Sequence, residues 1–261
     1  MKRVNYHTHT SYCRHAKGTV AEHAQEARKS GLEVLGFSDH IPYPGNPFGY
    51  RMDREDLQAY CHEVLAVKEQ YKGEMTVYCG FESEYDREWI HWYEELYETG
   101  QCEYLLLGQH WFCDEEGRRW QTGNVPSTTL YPAYIRQVLE GMKTGLFQAV
   151  AHPDLIFMNV HAWDENCDLA CDLLVEGCAK EGYLLEYNAN GYRRGICEFD
   201  DGERFQYPHK GLWEKVAKTR IPVVVGSDCH SPGLMYDEFV KKAYREAEAM
   251  GLNLVTDIFN R

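Results

Sequence analysis

Imidazole and carboxylate residues recur in short clusters along the whole chain. His7-Thr8-His9, Asp39-His40, Glu82 with Glu84, His110, His152-Pro153-Asp154 and Asp228-Cys229-His230 each follow a brief apolar run. In an extended segment, residues i and i+2 project to the same side. His7 and His9 therefore form a natural ligand pair for one cation, and Asp228 with His230 repeats the spacing. Imidazole plus carboxylate suits zinc, iron or manganese. Cys229 falls between two of these residues, but alternation turns it away. The other cysteines fall elsewhere, so thiolate ligation is not expected. His15, in the loop 11–16, is a further candidate ligand. Taken singly, a histidine is more often a satisfied structural group than a ligand. Recurrence at corresponding positions is what points to a shared site.

Those positions are set by the elements that precede them. Apolar runs lie at 3–6, 34–37, 75–79, 104–107, 148–151, 183–187 and 222–225. Helix-forming stretches lie between them at 20–29, 54–71, 86–97, 130–143, 169–180 and 212–218, and a last helix at 236–250 precedes a short run at 253–256. Such alternation predicts parallel strands joined by crossover helices. The runs are near-continuous, as expected of strands buried on both faces. The pattern predicts an α/β fold, a (β/α)7 barrel one unit short of the usual eight, with a doubly wound open sheet as the alternative. In a parallel barrel the C-terminal strand ends open on one face, where active sites sit. All the proposed strands but the sixth carry a ligand-type residue just past that end. Gly31 and Gly182 read as helix stops, and Asp53 as a helix N-cap.

Composition narrows the partners. A chain of 261 residues with 44% hydrophobic content suits one domain over 1–261. The net charge of −14 and the lack of a basic run argue against long nucleic acid and membrane surfaces. A phosphate-bearing substrate would need a local positive site made by cations and a few arginines. The N-terminus turns polar too early for a secretory leader, and no apolar stretch approaches membrane-spanning length. A cytoplasmic monomer or small homo-oligomer is expected. The ten cysteines form no CxxC pair and read as free thiols.

In order, His7-Thr8-His9, Ser38-Asp39-His40, Gly80-Phe81-Glu82, Gly108-Gln109-His110, Ala151-His152-Pro153-Asp154 and Gly226-Ser227-Asp228-Cys229-His230 resemble the motifs of the PHP (polymerase and histidinol phosphatase) superfamily. The stretches 6–16, 36–44 and 186–193 resemble its histidinol-phosphatase branch. The resemblance implies a distorted (β/α)7 barrel with two to three divalent ions (Zn, Fe or Mn) at the C-terminal ends of the parallel strands. It implies that His7, His9, Glu82 and Asp228 hold one ion. Glu82 would bridge to a second, completed by His110 and His152, and His15, His40 and His230 would hold the third.

The implied activity is hydrolysis of a small phosphate ester, L-histidinol phosphate to L-histidinol and phosphate, a step of histidine biosynthesis. A hydroxide bridging two ions would be the nucleophile, since metal binding lowers the pKa of water from about 15.7 towards about 7. Arg193 matches the family's Asn-x-x-Gly-x-Arg pattern and is expected to clamp phosphate oxygens, with Arg51 and Arg194 as further substrate-binding candidates. His230 and His15 are candidate acids if not fully committed to metal. Asp39 would orient an imidazole or cap a loop turn. Glu84, two residues from Glu82, either faces the site with it or is a solvated loop charge. The alternatives are a PHP phosphoesterase acting on phosphotyrosine, a nucleotide or an oligonucleotide, or a metal-binding module without activity.

Overall fold

The computed structural model of the protein describes residues 2–259. Eight strands form one parallel sheet in chain order: β1 (Val4–Asn5), β2 (Val34–Phe37), β3 (Thr76–Ser83), β4 (Tyr104–Leu107), β5 (Ala149–Val150), β6 (Leu185–Asn188), β7 (Pro222–Gly226) and β8 (Asn253–Leu254). Helices cover the outside: α1 (Val20–Lys29), α2 (Leu57–Gln70), α3 (Ile90–Glu98), α4 (Tyr131–Lys143), α5 (Glu165–Glu181), the short α6 (Asn190–Arg193), α7 (Lys210–Val216) and α8 (Glu238–Ala249). Past β1, Thr8 forms a parallel bridge with Cys229, and His9 N donates to Cys229 O at 3.0 Å. That bridge draws the first strand beside the end of the seventh and curls the sheet into the expected (β/α) barrel. Among the described residues no helix is long and apolar enough to cross a membrane.

Alternation along the strands splits the core in two. Val4, Val34, Tyr104, Leu106, Ala149 and Val224 turn to one face and pack together inside the curl. Leu35, Phe37, Leu105, Leu107, Val150 and Val223 turn outward against the helices. Tyr104 fills the interior, where its hydroxyl donates to Tyr6 O at 2.6 Å and Phe37 O at 3.0 Å. Space for the ring comes from Gly36 and Gly80, where an added Cβ would collide with it.

Strands at 34–37 and 104–107 have the expected bounds. The third runs on to Ser83, because the polar Glu82 and Ser83 are buried and pair with Leu106 and Leu107. The sixth likewise includes the buried polar residues Glu186 and Asn188. Two antiparallel hairpins, Trp111–Cys113 with Arg119–Gln121 and Ile196–Phe199 with Gly202–Phe205, lie in stretches to which the sequence pattern assigned no element. Their strands are short and largely outside the core, so no apolar run marks them. The ten cysteines are free, as expected.

Tyr104→Phe tests the interior. It removes the one hydroxyl proton that the Tyr6 and Phe37 carbonyls share, and urea unfolding should show a loss of roughly 1–3 kcal/mol. Unchanged stability would mean that those carbonyls are satisfied otherwise.

Candidate metal centre

The strand ends deliver one cluster. His7 and His9 follow β1, His40 follows β2 and bridges to Glu82 in β3, His110 follows β4, His152 follows β5, and Asp228 and His230 follow β7. His15 enters from the loop after a 3-10 turn at Ser11–Cys13. His7, His9, Glu82, His152 and Asp228 are all nearly inaccessible to solvent.

Glu82 sits at the centre and its two oxygens face different rings. Oε2 lies 3.4 Å from His7 Nε2, 3.2 Å from His9 Nε2 and 3.1 Å from His40 Nδ1. Oε1 lies 2.7 Å from His152 Nε2 and 3.6 Å from His110 Nε2. Asp228 Oδ1 closes the first set, 3.4 Å from His9 Nε2 and 3.7 Å from His7 Nε2. The trios His7-Glu82-His152, His7-His9-Asp228 and His9-His40-Glu82 each bring their ligand atoms within 4.8 Å of one another. His15 and His230 stand beside them, with ring centroids 4.9 Å apart, and His15 lies 5.1 Å from His40.

Neighbouring acceptors fix several tautomers. His7 donates Nδ1–H to Glu186 at 2.9 Å, and His110 to Glu84 at 3.1 Å. His15 donates to Cys13 O at 2.8 Å, and His230 to Asp228 O at 3.0 Å. In each, Nε2 is the nitrogen left to meet a cation. His152 and Asp228 adopt positive φ, 30° and 48°. Such strain costs of order 1–3 kcal/mol and persists only where the surroundings impose it. Glu186 accepts from His152 N at 3.0 Å, and Asn190 donates to Asp228 Oδ2 at 3.1 Å.

The donor set fits divalent cations. His7 Nε2 and His9 Nε2 are 3.1 Å apart, and His9 Nδ1 and His152 Nδ1 are buried without a partner. Burial alone would raise the Glu82 carboxyl, but His40, His7 and His110 hold it well below the usual carboxylate range. Asp228 is held well below that range too, where His7 and His9 outweigh burial. Burial lowers His7 and His9 as well, yet the surrounding carboxylates raise both well above the ordinary imidazole value. Without a cation the cluster balances its buried negative charge with protons, a role cations fill at once. Burial pushes His40 well down and His230 to about 4.

A cavity of about 480 Å³ opens over the cluster, with Tyr50, Arg51, Thr122, Asn190, Arg194 and Tyr207 among its walls. Arg51 and Arg194 thus lie where expected, and Arg193 does not. Arg193 Nε binds Asp237 at 2.8 Å, Nη1 donates to Ser227 O at 2.5 Å, and Nη2 donates to Leu234 O at 3.0 Å. Successive residues of a helix point roughly 100° apart. In α6 that step sends Arg193 to the joint between β7 and α8, and sends Arg194 into the cavity with its guanidinium 5.7 Å over Tyr207.

Asp39 also takes a structural place. Its Oδ1 accepts from Thr10 N at 2.8 Å and Cys13 N at 3.2 Å, and its Oδ2 from Thr10 Oγ1 at 2.8 Å, so it caps the turn that carries His15 and does not face the cavity. Glu84 is no solvated charge: it is 1% exposed and binds Arg51 and His110. Cys13, set aside on sequence grounds, lies with His9 and Asp39 within 4.8 Å because the turn folds back under His9. Glu186 opens the stretch 186–193 noted in the sequence but was given no role there. The polar-apolar alternation Glu186-Tyr187-Asn188 at a strand end was its available signal.

The PHP domain family model matches residues 5–190. A Deinococcus radiodurans protein named "Probable histidinol-phosphatase" is 31% identical, covering 96% of this chain and 94% of its own. The Bacillus subtilis protein named "Histidinol-phosphatase" is 24% identical, covering 93% of this chain and all of its own. The structure of histidinol phosphate phosphatase from Lactococcus lactis, complexed with zinc, L-histidinol and phosphate, shares the fold with a TM-score of 0.67 at 15% identity, over 97% of this chain and 95% of that one.

Two glycines probe the cluster while leaving every candidate ligand unsubstituted. A Cβ at Gly108 would collide with the Glu82 carboxylate, and one at Gly226 with that of Glu186. Gly108→Ala and Gly226→Ala should each weaken zinc retention against a chelator by about 10-fold or more. Gly233→Ala, where nothing lies within 4 Å, should leave it unchanged. Equal retention in all three would show that this cluster does not hold the metal.

Proposed function

The chain belongs to the PHP domain family, and on that basis and the site's geometry we propose that it is a metal-dependent phosphomonoesterase acting on L-histidinol phosphate. The observation that carries the reading is the division of Glu82 between two sets of imidazoles under a cavity edged by Arg51 and Arg194. The names of the Deinococcus and Bacillus relatives, and the zinc, L-histidinol and phosphate in the Lactococcus enzyme, support the choice of substrate and of zinc.

In this reading His7, His9, Glu82 and Asp228 hold one cation, and Glu82, His110 and His152 a second. His15, His40 and His230 hold a third. Bound there, such ions neutralise phosphate oxygens and lower the pKa of water, which supplies a nucleophile at neutral pH. The chain's own contribution is to position and to neutralise. Arg51, held by Glu84 at 2.8 Å, and Arg194 present N–H donors to the substrate's phosphate oxygens. Asn190 holds Asp228 in its strained conformation. His15 and His230 commit Nδ1–H to carbonyls of their own loops, so we assign both to ligation in preference to proton donation. The remaining wall, with Leu155, Met158 and Tyr207, is left for the alcohol portion of a small ester.

Exhaustive chelation should abolish phosphatase activity, and added zinc should restore it. In a substrate panel L-histidinol phosphate should be preferred over p-nitrophenyl phosphate, phosphotyrosine and nucleotides. A flat profile would point to another ester, and no turnover with metal bound would refute the assignment.

The arginines separate in a second test. Arg194→Ala should raise KM for the ester about 10-fold through the lost charge-assisted bonds. Arg193→Ala should leave KM close to wild type but lower stability by about 3 kcal/mol, since it strands Asp237 in a largely buried pair. The reverse pattern would restore Arg193 as the clamp.

A further inference from the structure

The geometry points to Glu84 as a positioning residue that couples Arg51, on the substrate side of the cavity, to His110, on the cation side. Its carboxylate is fully engaged. Oε1 accepts from Arg51 Nη2 at 2.8 Å and from His110 Nδ1 at 3.1 Å. Oε2 accepts from His110 N at 2.7 Å and Trp111 N at 3.2 Å. The backbone is held as well: Glu84 N donates to Tyr43 Oη at 2.8 Å, and Tyr93 Oη donates to Glu84 O at 2.5 Å. Glu84 therefore cannot swing towards one partner and away from the other.

A guanidinium and an imidazole N–H thus share one carboxylate oxygen. A carboxylate behind a ligand imidazole fixes its ring and raises its basicity. The negative charge that Oε1 can offer to His110 is what Arg51 leaves to it. His110 Nε2, on the far side of the ring, lies 3.6 Å from Glu82 Oε1 and next to His152, ring centroids 5.0 Å apart. The strength of the His110 lone pair then depends on a residue that is itself no ligand. Arg51 sets the cation affinity at His110 through Glu84, and a substrate phosphate that draws on Arg51 strengthens that affinity. This inference rests on the reading of His110 as a ligand and of Arg51 as a phosphate contact.

The test is a double-mutant cycle on zinc binding. Zinc is stripped from the full-length wild type, Glu84→Gln, Arg51→Met and the double variant. Zinc is then titrated back against a zinc-chelating dye, and His110→Ala marks the step that belongs to His110. Glu84→Gln should weaken that step by about 10- to 100-fold. Arg51→Met should strengthen it several-fold in the wild type and have no effect on it in the Glu84→Gln background. General damage would weaken both variants. An equal Arg51→Met shift in both backgrounds would mean that the guanidinium acts through space, and either result overturns the coupling.

If Glu84→Gln does not fold, Arg51→Met decides alone, by NMR of the metal-free protein. The Nδ1 proton of His110 should move downfield while that of His230, bound to a carbonyl, stays. Movement of both or of neither overturns the proposal. Inhibition by inorganic phosphate separates the underlying reading. If Arg51→Met leaves it unchanged while the zinc step shifts, Arg51 is no phosphate contact and the coupling through Glu84 stands.

Discussion

One buried carboxylate, Glu82, is shared between two sets of imidazoles, and much of the fold serves that arrangement. A charge without solvent is costly unless it is paired. Here the pairing comes from five histidines on four separate elements. To bring them there, β3 continues past its apolar run and pairs with β4 through Glu82 and Ser83. The loop after β4 opens with a glycine, because a side chain at 108 would occupy the place of the Glu82 carboxylate. The sheet closes by a bridge at Thr8 and Cys229, which sets His7 and His9 against Asp228.

Around the clustered imidazoles lies a layer of acceptors that orients each ring. Glu186 behind His7 and Glu84 behind His110 play equivalent parts on opposite sides of the cluster. Backbone carbonyls do the same for His15 and His230. The two carboxylates differ in their other partners. Glu186 is bound by His152 N and Asn188, so it faces only the barrel. Glu84 is bound by Arg51, which faces the cavity, and by His110 of the cluster, so the cavity wall and the imidazoles meet at one oxygen atom.

The convergence of these imidazoles and carboxylates was legible in the sequence because a parallel barrel repeats one register. Each strand ends at the same face, so ligand-type residues recur at one place in a repeating pattern. Alternation correctly turned Cys229 away from the cluster, into the helix-side core, where its sulfur packs by Met235. The supporting residues lacked such a signal. Glu84 lies just beyond β3 and Glu186 within β6, charged residues of a kind most often solvated, and only tertiary packing buries them. Arg193 and Arg194 differ by one helical step, too fine a distinction for a pattern in which both positions are arginine. Asp39 adjoins a ligand, but its carboxylate turns to the loop that carries His15. The hairpins were invisible because strands that bury little carry no apolar run.

The most direct measurement is anomalous diffraction from crystals grown with zinc and recorded on both sides of its absorption edge. The account predicts two peaks flanking the Glu82 carboxylate, one within bonding distance of His7, His9 and Asp228 and the other of His110 and His152, with a third beside His15, His40 and His230. Zinc bound only at other surfaces, with the Glu82 carboxylate paired to imidazoles alone, would contradict it.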